Sequence, residues 1–254
     1  MIDAAADRCR GVLVGLAAGD RIGGPIRLAV RLAESLLDCG GFDPADILNR
    51  YLAWWRDGAF DTGPVSDRAL ELVAAGMAVQ GATLQVHREF GGKTAGCNPA
   101  HRSSPLSMLT AIADEDIAGC AMAEARLTHH DPLAGEVAAA VNKSCRALIR
   151  GAAWQEAVQE AGSFDGQEGP GNNGGYAPDV LRAALYFVGT SACFTGALDR
   201  SLAFAGPSNY CPVLVGAVAG ARWGASIIPP SALAHVNVLP RVQEAAQALA
   251  VGWS

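Results

Sequence analysis

Three side chains suited to acid–base chemistry stand where helices are expected to end or the chain to turn. Asp20 follows an apolar helical segment, where the exposed helix carbonyls disfavour a negative charge. Asp61 lies in a Phe-Asp-Thr-Gly turn, and His129 closes a helical segment. For each there is a structural interpretation, a hydrogen bond to nearby backbone groups, and a catalytic one. Asp20, Asp61 and His129 are therefore the candidate catalytic residues.

The seven cysteines are a second source of reactivity. They are scattered along the chain without a CxxC pair, which argues against a zinc–thiolate site. Cys97 and Cys211 fall beside irregular segments, where His101 or His129 could activate a thiolate. The other interpretation is a buried thiol that packs as a small hydrophobic group. The sequence leaves both open.

Composition narrows the class of protein that positions these groups. The chain has 254 residues, of which 50% are hydrophobic and 17% charged, so we expect one domain over residues 1–254 with a large core. A net charge of −6 argues against nonspecific binding to nucleic acid or to an anionic membrane. The N-terminal segment carries acids where a signal peptide would carry basic residues, which favours a cytoplasmic protein. The oligomeric state stays open.

Hydrophobic periodicity predicts an all-α protein. Apolar residues recur at helical spacing over residues 5–18, 26–37, 44–56, 65–80, 114–127, 133–148, 178–189, 195–204, 211–224 and 238–251. The dipeptides Asp43-Pro44 and Asp131-Pro132 supply a capping acceptor and a first-turn proline. The one short strand-like stretch is residues 83–87. The site is expected on the irregular stretches 90–104, 163–176 and 205–211.

Taken in order, a series of segments resembles the ADP-ribosylglycohydrolase family of all-helical hydrolases. The similarity spans nearly the whole chain and rests on the order and spacing of the segments. The segments are residues 10–20, ending in Gly-Asp, and residues 32–37, 51–55, 60–63, 127–135, 175–176, 183–186, 205–206 and 215–224. The resemblance implies an orthogonal bundle of helices and a cleft for an ADP-ribose-like ligand.

The family's metal ligands are missing from the matching positions. Its enzymes hold two magnesium ions with a Thr-Asp-Asp-Thr cluster, an acid shortly before it, and an Asp-x-Asp pair near the C-terminus. The first cluster falls here on Gly23, Gly24, Pro25 and Ile26, and the second on residues 207–210. Because Mg²⁺ needs anionic oxygen ligands, we expect no metal and no other cofactor.

The same resemblance implies the ligand-binding residues. The family's glycine-rich loop, which holds the diphosphate and the distal ribose, corresponds to residues 96–102, and its second metal loop to residues 207–210. His129 corresponds to a histidine that lines the ligand pocket. Arg102 could supply a bidentate cation, or could instead cap a helix. The candidate ligand-binding residues are Gly96, Cys97, Asn98, His101, Arg102, Ser208, Asn209 and Tyr210.

Three functional hypotheses follow. The first is a metal-independent hydrolase of an N-ribosyl or ADP-ribosyl small molecule, in which a carboxylate stabilises the oxocarbenium ion or activates water. The second is a catalytically inactive ligand-binding or interaction protein on the same fold. The third is an enzyme of specialised metabolism that has rebuilt the site around Cys97 or Cys211.

Overall fold

The helical periodicity of the sequence is realised as thirteen α-helices, without a strand, in a computed structural model that describes residues 3–164 and 169–253. The predicted all-α class is confirmed. The helices are α1 Ala4–Gly19, α2 Gly24–Cys39, α3 Pro44–Arg56, α4 Pro64–Ala74, α5 Val79–Glu89, α6 Asn98–Arg102, α7 Ile117–Ala125, α8 Pro132–Ile149, α9 Trp154–Gln159, α10 Ala177–Gly189, α11 Phe194–Ala205, α12 Tyr210–Trp223 and α13 Leu239–Ala250.

Helix starts follow the expected capping chemistry. The Asp43 carboxylate accepts hydrogen bonds from two backbone N–H groups at the start of α3, and Asp131 accepts one at the start of α8. Both α3 and α8 have a proline in the first turn, as predicted.

Three local predictions are corrected. The predicted helix 65–80 ends at Ala74, because Gly76 adopts a left-handed conformation with φ 98° and turns the chain into α5. The strand-like residues 83–87 lie inside α5. The irregular stretch 90–104 contains the short helix α6. Of the predicted loop 163–176, residues 165–168 lie outside the described residues.

The helices α1 and α12 form the centre of the core. They run antiparallel, with Gly11 against Gly220 and Gly15 against Gly216. A Cβ on any of these four glycines would overlap the backbone carbonyl of its partner, so the two backbones are in direct contact. All residues from 211 to 221 of α12 are buried. This packing brings the C-terminal end of α1 beside the N-terminal end of α12.

In the described parts of the chain, no helix combines the length and apolar character that crossing a bilayer requires.

Candidate active site

Asp20 is a buried anion that organises the start of α2. Its carboxylate accepts hydrogen bonds of 2.7 Å from the backbone N–H groups of Gly23 and Ile26, and one of 2.6 Å from the side-chain amide of Asn209. The positive end of the α2 dipole also favours an anion at this place. The structural interpretation of Asp20, a tether to neighbouring backbone N–H groups, is what its contacts support.

Asn209 links two carboxylates. Its Nδ2 donates to Oδ1 of Asp20 at 2.6 Å and to Oδ2 of Asp61 at 3.1 Å. Its Oδ1 accepts from the backbone N–H of Arg21 at 3.0 Å. Because a backbone N–H can only donate, this last bond fixes the orientation of the amide: oxygen toward Arg21, NH₂ toward the acids.

Asp61 is the acid of this group that faces a cavity. It lies in the turn between α3 and α4 with φ 53°, a left-handed conformation that few residues other than glycine adopt. The backbone of this turn packs against Gly24, where a Cβ would crowd the Phe60 and Asp61 carbonyl oxygens. Burial raises the pKa of the half-buried Asp61 carboxyl, the negative charge of Asp20 raises it further, and hydrogen bonds from Asn209 and Gly24 oppose both effects.

The cavity in front of Asp61 has a volume of about 620 Å³. Its wall combines Pro25 of α2, the α3–α4 turn and the first turn of α4 with three later segments. These segments supply Gly96, Cys97, Asn98, His101, Gly175, Asn209 and Tyr210. A pair of backbone hydrogen bonds, from Cys97 to Gly175 and from Ala177 to Ala95, holds the glycine-containing loop against the start of α10. Six of the eight predicted ligand-binding residues therefore line one cavity together with Asp61.

His101 is buried within this wall. Its side chain is 3% exposed, and its Nε2 has no hydrogen-bond partner. Burial lowers the pKa of His101 to about 4, a loss that a hydrogen bond with the Tyr210 backbone only partly offsets. The ring is therefore neutral at physiological pH, and its Nε2 is a buried polar atom without a partner.

Cys97 and Cys211 are buried thiols. Desolvation raises the pKa of each to about 12, and the negative charge of Asp61 adds to the effect on Cys97. A thiol with such a pKa is protonated at neutral pH and is a poor nucleophile. Their surroundings favour the packing interpretation over the nucleophilic one.

Arg102 does not line the cavity, contrary to the expectation that it contacts a ligand. Its guanidinium is fully buried, where Nε donates to the Glu124 carboxylate at 2.6 Å and Nη2 to the Thr128 hydroxyl at 2.8 Å. The group also lies 5.0 Å from the centroid of the Tyr51 ring, whose hydroxyl donates to the same carboxylate. Arg102 thus joins α3, α6 and α7 in the core.

His129 lies behind the glycine-containing loop instead of beside Asp61. It contributes to a separate cavity of about 510 Å³ next to α5. The Thr128 hydroxyl, which accepts from Arg102, also hydrogen-bonds His129 Nδ1 at 2.9 Å. The other ring nitrogen, Nε2, has no hydrogen-bond partner. A Cβ on Gly96 would stand 3.2 Å from that nitrogen, so Gly96 separates it from the cavity at Asp61.

The remaining predicted residues differ in placement. Tyr210 lines the cavity, and its ring packs against Gly175, where a Cβ would stand 3.0 Å from Cε1. Ser208 does not line it; its hydroxyl hydrogen-bonds Asn173 and the Ala205 carbonyl.

Sequence reasoning missed one acid of the cavity. Asp67, in the first turn of α4, lines it and accepts a hydrogen bond of 2.8 Å from the Trp55 indole. The available signal was its position four residues after the Gly63 that precedes the helix, since acids are common in a first turn. That position predicts a favourable interaction of the carboxylate with the positive end of the helix dipole. It does not predict that the carboxylate lines a cavity.

The arrangement does not fit a pair of magnesium ions. Gly23, Gly24, Pro25 and Ile26 bring no side-chain oxygen, and the α3–α4 turn occupies the space beside Gly24. Asn209 turns its NH₂ group, which has no lone pair to offer a cation, toward both carboxylates. In the described residues, no group of three or more His, Cys, Asp or Glu side chains is placed to hold a metal ion.

Comparison with known proteins gives consistent similarities. A family model described as ADP-ribosylglycohydrolase matches residues 26–253. The chain is 23% identical over 218 residues to ADP-ribosyl-[dinitrogen reductase] glycohydrolase of Rhodospirillum rubrum, which covers 83% of this chain and 72% of the relative. It is 26% identical over 302 aligned positions to ADP-ribosylarginine hydrolase Tri1 of Pseudomonas putida (strain GB-1), covering 96% and 78%.

The fold is also similar to a solved structure, an ADP-ribosylglycohydrolase-related protein complex. The TM-score is 0.80 at 26% sequence identity, and the superposition covers 98% of each chain. Similarity in sequence and in fold therefore extends over nearly the same residues.

Proposed function

The chain belongs to the ADP-ribosylglycohydrolase family, and on that premise we propose that it hydrolyses the N-glycosidic bond of a small riboside in the cavity at Asp61 without a metal ion. Glycohydrolase activity is what family membership suggests. We add two points to that suggestion: the reaction needs no metal ion, and the substrate is a small molecule. The relatives' names point to ADP-ribosyl compounds, which form one class of candidate substrate.

One observation carries the metal-independent part of the proposal. The Asn209 amide donates to Asp20 and to Asp61 at the place where the family pattern has metal-binding carboxylates. A cation between two carboxylates offsets the repulsion between their negative charges. Two N–H donors placed between them offset part of that repulsion. The two acids then lie side by side without a divalent ion.

In the reaction we propose, the bond between C1′ of the ribose and the base nitrogen breaks. The electron pair leaves with the nitrogen, C1′ becomes an oxocarbenium ion, and water adds to C1′. Asp61 stabilises the positive charge and accepts the proton that the attacking water loses. A carboxylate with a raised pKa is a stronger base, which suits this role. Asp20 acts as a positioning residue, because it holds Asn209 and the start of α2 and has no place in the cavity wall.

The test is turnover of ribosides with and without EDTA. NAD, ADP-ribosylarginine and simple nucleosides are incubated with the protein, and release of the base is followed. We expect hydrolysis of at least one of them at an unchanged rate in EDTA, and a loss of about 100-fold or more in Asp61→Asn, as for removal of a general base. Asp57→Asn, at an exposed position on the end of α3, is the matched control. Activity that requires Mg²⁺ would contradict the proposal.

A second candidate is a ligand-binding protein without catalysis. Asp20 and His129, two of the three predicted catalytic residues, do not line the cavity. If no riboside is consumed but one of them raises the melting temperature, binding without turnover is the better account. The third hypothesis, a cysteine-based reaction, has no support from the two buried thiols.

A further inference from the structure

The cavity at Asp61 is acidic. Asp61 and Asp67 both line it, and Asp20 lies directly behind Asp61, joined to it through Asn209. Among the described residues of its wall there is no lysine or arginine, and the one arginine of the glycine-containing loop, Arg102, is sealed in an ion pair with Glu124. A diphosphate placed here would face carboxylates with no side-chain cation to pair with it. An organic cation placed here would instead be attracted by these carboxylates.

The wall also holds groups that point to an organic ligand. His101 contributes an uncharged ring to this wall, and its Nε2 is buried inside the protein. Tyr210, which is 40% exposed, presents an aromatic ring at the same cavity. An aromatic ring attracts cations and stacks on flat bases. Asn98 donates one N–H to the Thr62 carbonyl at 3.0 Å, and its other amide groups are left for the sugar hydroxyls.

The placement of His129 adds a chemical constraint. A neutral leaving base needs a general acid to protonate it, and His129, the residue predicted for that task, lies behind Gly96. A base that is already cationic in the riboside needs no proton, since it leaves as a neutral molecule when the C1′–N bond breaks.

We propose that this site takes a phosphate-free N-riboside whose base is positively charged, of the pyridinium class. The inference rests on the proposed function and specifies its substrate. In the balanced reaction the cationic riboside and water give ribose, the neutral base and one proton. The pair of electrons of the C1′–N bond stays on the ring nitrogen, and Asp61 passes the proton to solvent. Asp61 and Asp67 attract the cation, and Tyr210 stacks on it.

The experiment compares two ligands that differ in charge and hardly in shape. Nicotinamide riboside is cationic, and its 1,4-dihydro form is neutral. Binding is measured by calorimetry, and turnover by release of the base, with NAD as the phosphate-bearing comparison. We expect the cationic riboside to bind at least tenfold more tightly than the neutral form or NAD, and to be hydrolysed in EDTA. Asp67→Asn should weaken binding of the cation several-fold and leave binding of the neutral form unchanged.

Equal affinity for the two forms, or tighter binding of NAD, would overturn the charge inference even if hydrolysis occurs. Preferential binding of the cation without any release of base would sustain the charge inference and contradict the hydrolase function. The two failures are thus distinguishable. High salt should weaken the cation's binding more than that of the neutral form, because the attraction is electrostatic.

Discussion

Asn209 determines the electrostatics of the site. Its amide is fixed by the Arg21 backbone N–H and directs both of its own N–H bonds at acids. The carboxylate oxygens of Asp20 accept hydrogen bonds from three donors, whereas the Asp61 carboxylate also lines the cavity. The two acids therefore differ in placement: Asp20 holds the start of α2, and Asp61 faces the cavity.

The raised pKa of Asp61 predicts the pH dependence of turnover. In the proposed reaction Asp61 must be ionised, so kcat/KM should rise with pH through the Asp61 pKa, which lies above its ordinary value of 3.8. The Asn209 hydrogen bond lowers this pKa. Asn209→Ala should therefore shift the acid limb of the profile to higher pH. Profiles of kcat/KM between pH 4 and 8 measure the shift.

Asn172→Ala is the control for that profile, because Asn172 is exposed and bonds Asp179, away from the cavity. An acid limb that Asn209→Ala leaves unmoved would show that Asp61 is not the group being titrated.

At the scale of elements, the contact between α1 and α12 sets the site. Glycines at positions 11 and 15 face those at 220 and 216, and the same contact continues from Gly19 to Pro212. Asp20 comes directly after α1 and Asn209 directly before α12. The 2.6 Å hydrogen bond between them is thus a consequence of how closely the two helices approach.

Gly216→Ala tests this dependence. The added Cβ would overlap the Gly15 carbonyl oxygen, so the helices must separate, and we expect a loss of about 3 kcal/mol in the free energy of unfolding. Turnover should fall too, since Asp20 and Asn209 move apart. Urea unfolding measures the first effect and an assay of the folded variant the second.

Gly119→Ala is the matched control. Gly119 is an exposed position of α7 with no atom near its missing Cβ, and the change should stabilise the helix by about 0.5–1 kcal/mol. Similar effects of the two substitutions would refute the role given to the α1–α12 contact.

Local chemistry explains which elements could be predicted from sequence. Asp43-Pro44 and Asp131-Pro132 start helices because their capping is complete within a few residues. The end of α4 was missed because apolar periodicity continues past Gly76, whose left-handed conformation breaks the helix.

The site shows the same division between local and long-range information. The resemblance to the family implied which loops form the site, and Asp61, Gly96, Asn98 and Tyr210 do line one cavity. The burial of Arg102 could not be predicted, because it depends on Glu124 and Tyr51 from other helices. The same is true of the bridge from Asn209 to Asp20, which joins residues 189 positions apart.

At the scale of the whole molecule, two buried histidines should make the protein sensitive to acid. The pKa of His101 is lowered to about 4 and that of His129 to about 3, from an ordinary value of 6.5, mainly by burial. Between pH 6.5 and about 4 the unfolded chain binds more protons than the folded one, so stability falls as the pH falls through this window. Each histidine contributes a slope of about 1 kcal/mol per pH unit.

His101→Met should reduce that slope by about 1 kcal/mol per pH unit, because one of the two titrating groups is removed. Urea unfolding at several values between pH 5 and 6.5 measures it. His130→Gln, at an exposed position, is the control. An identical slope in the wild type and in His101→Met would contradict the assignment.

The chain has the fold of the ADP-ribosylglycohydrolase family, and we propose that its site works without a metal ion. Binding of Mn²⁺, followed by its electron paramagnetic resonance signal, tests this claim most directly. Asn209→Asp, which places a third carboxylate beside Asp20 and Asp61, is the positive control. We predict no bound ion in the wild-type protein at millimolar Mn²⁺ and one ion per chain in the variant. Stoichiometric Mn²⁺ on the wild-type protein would contradict the account.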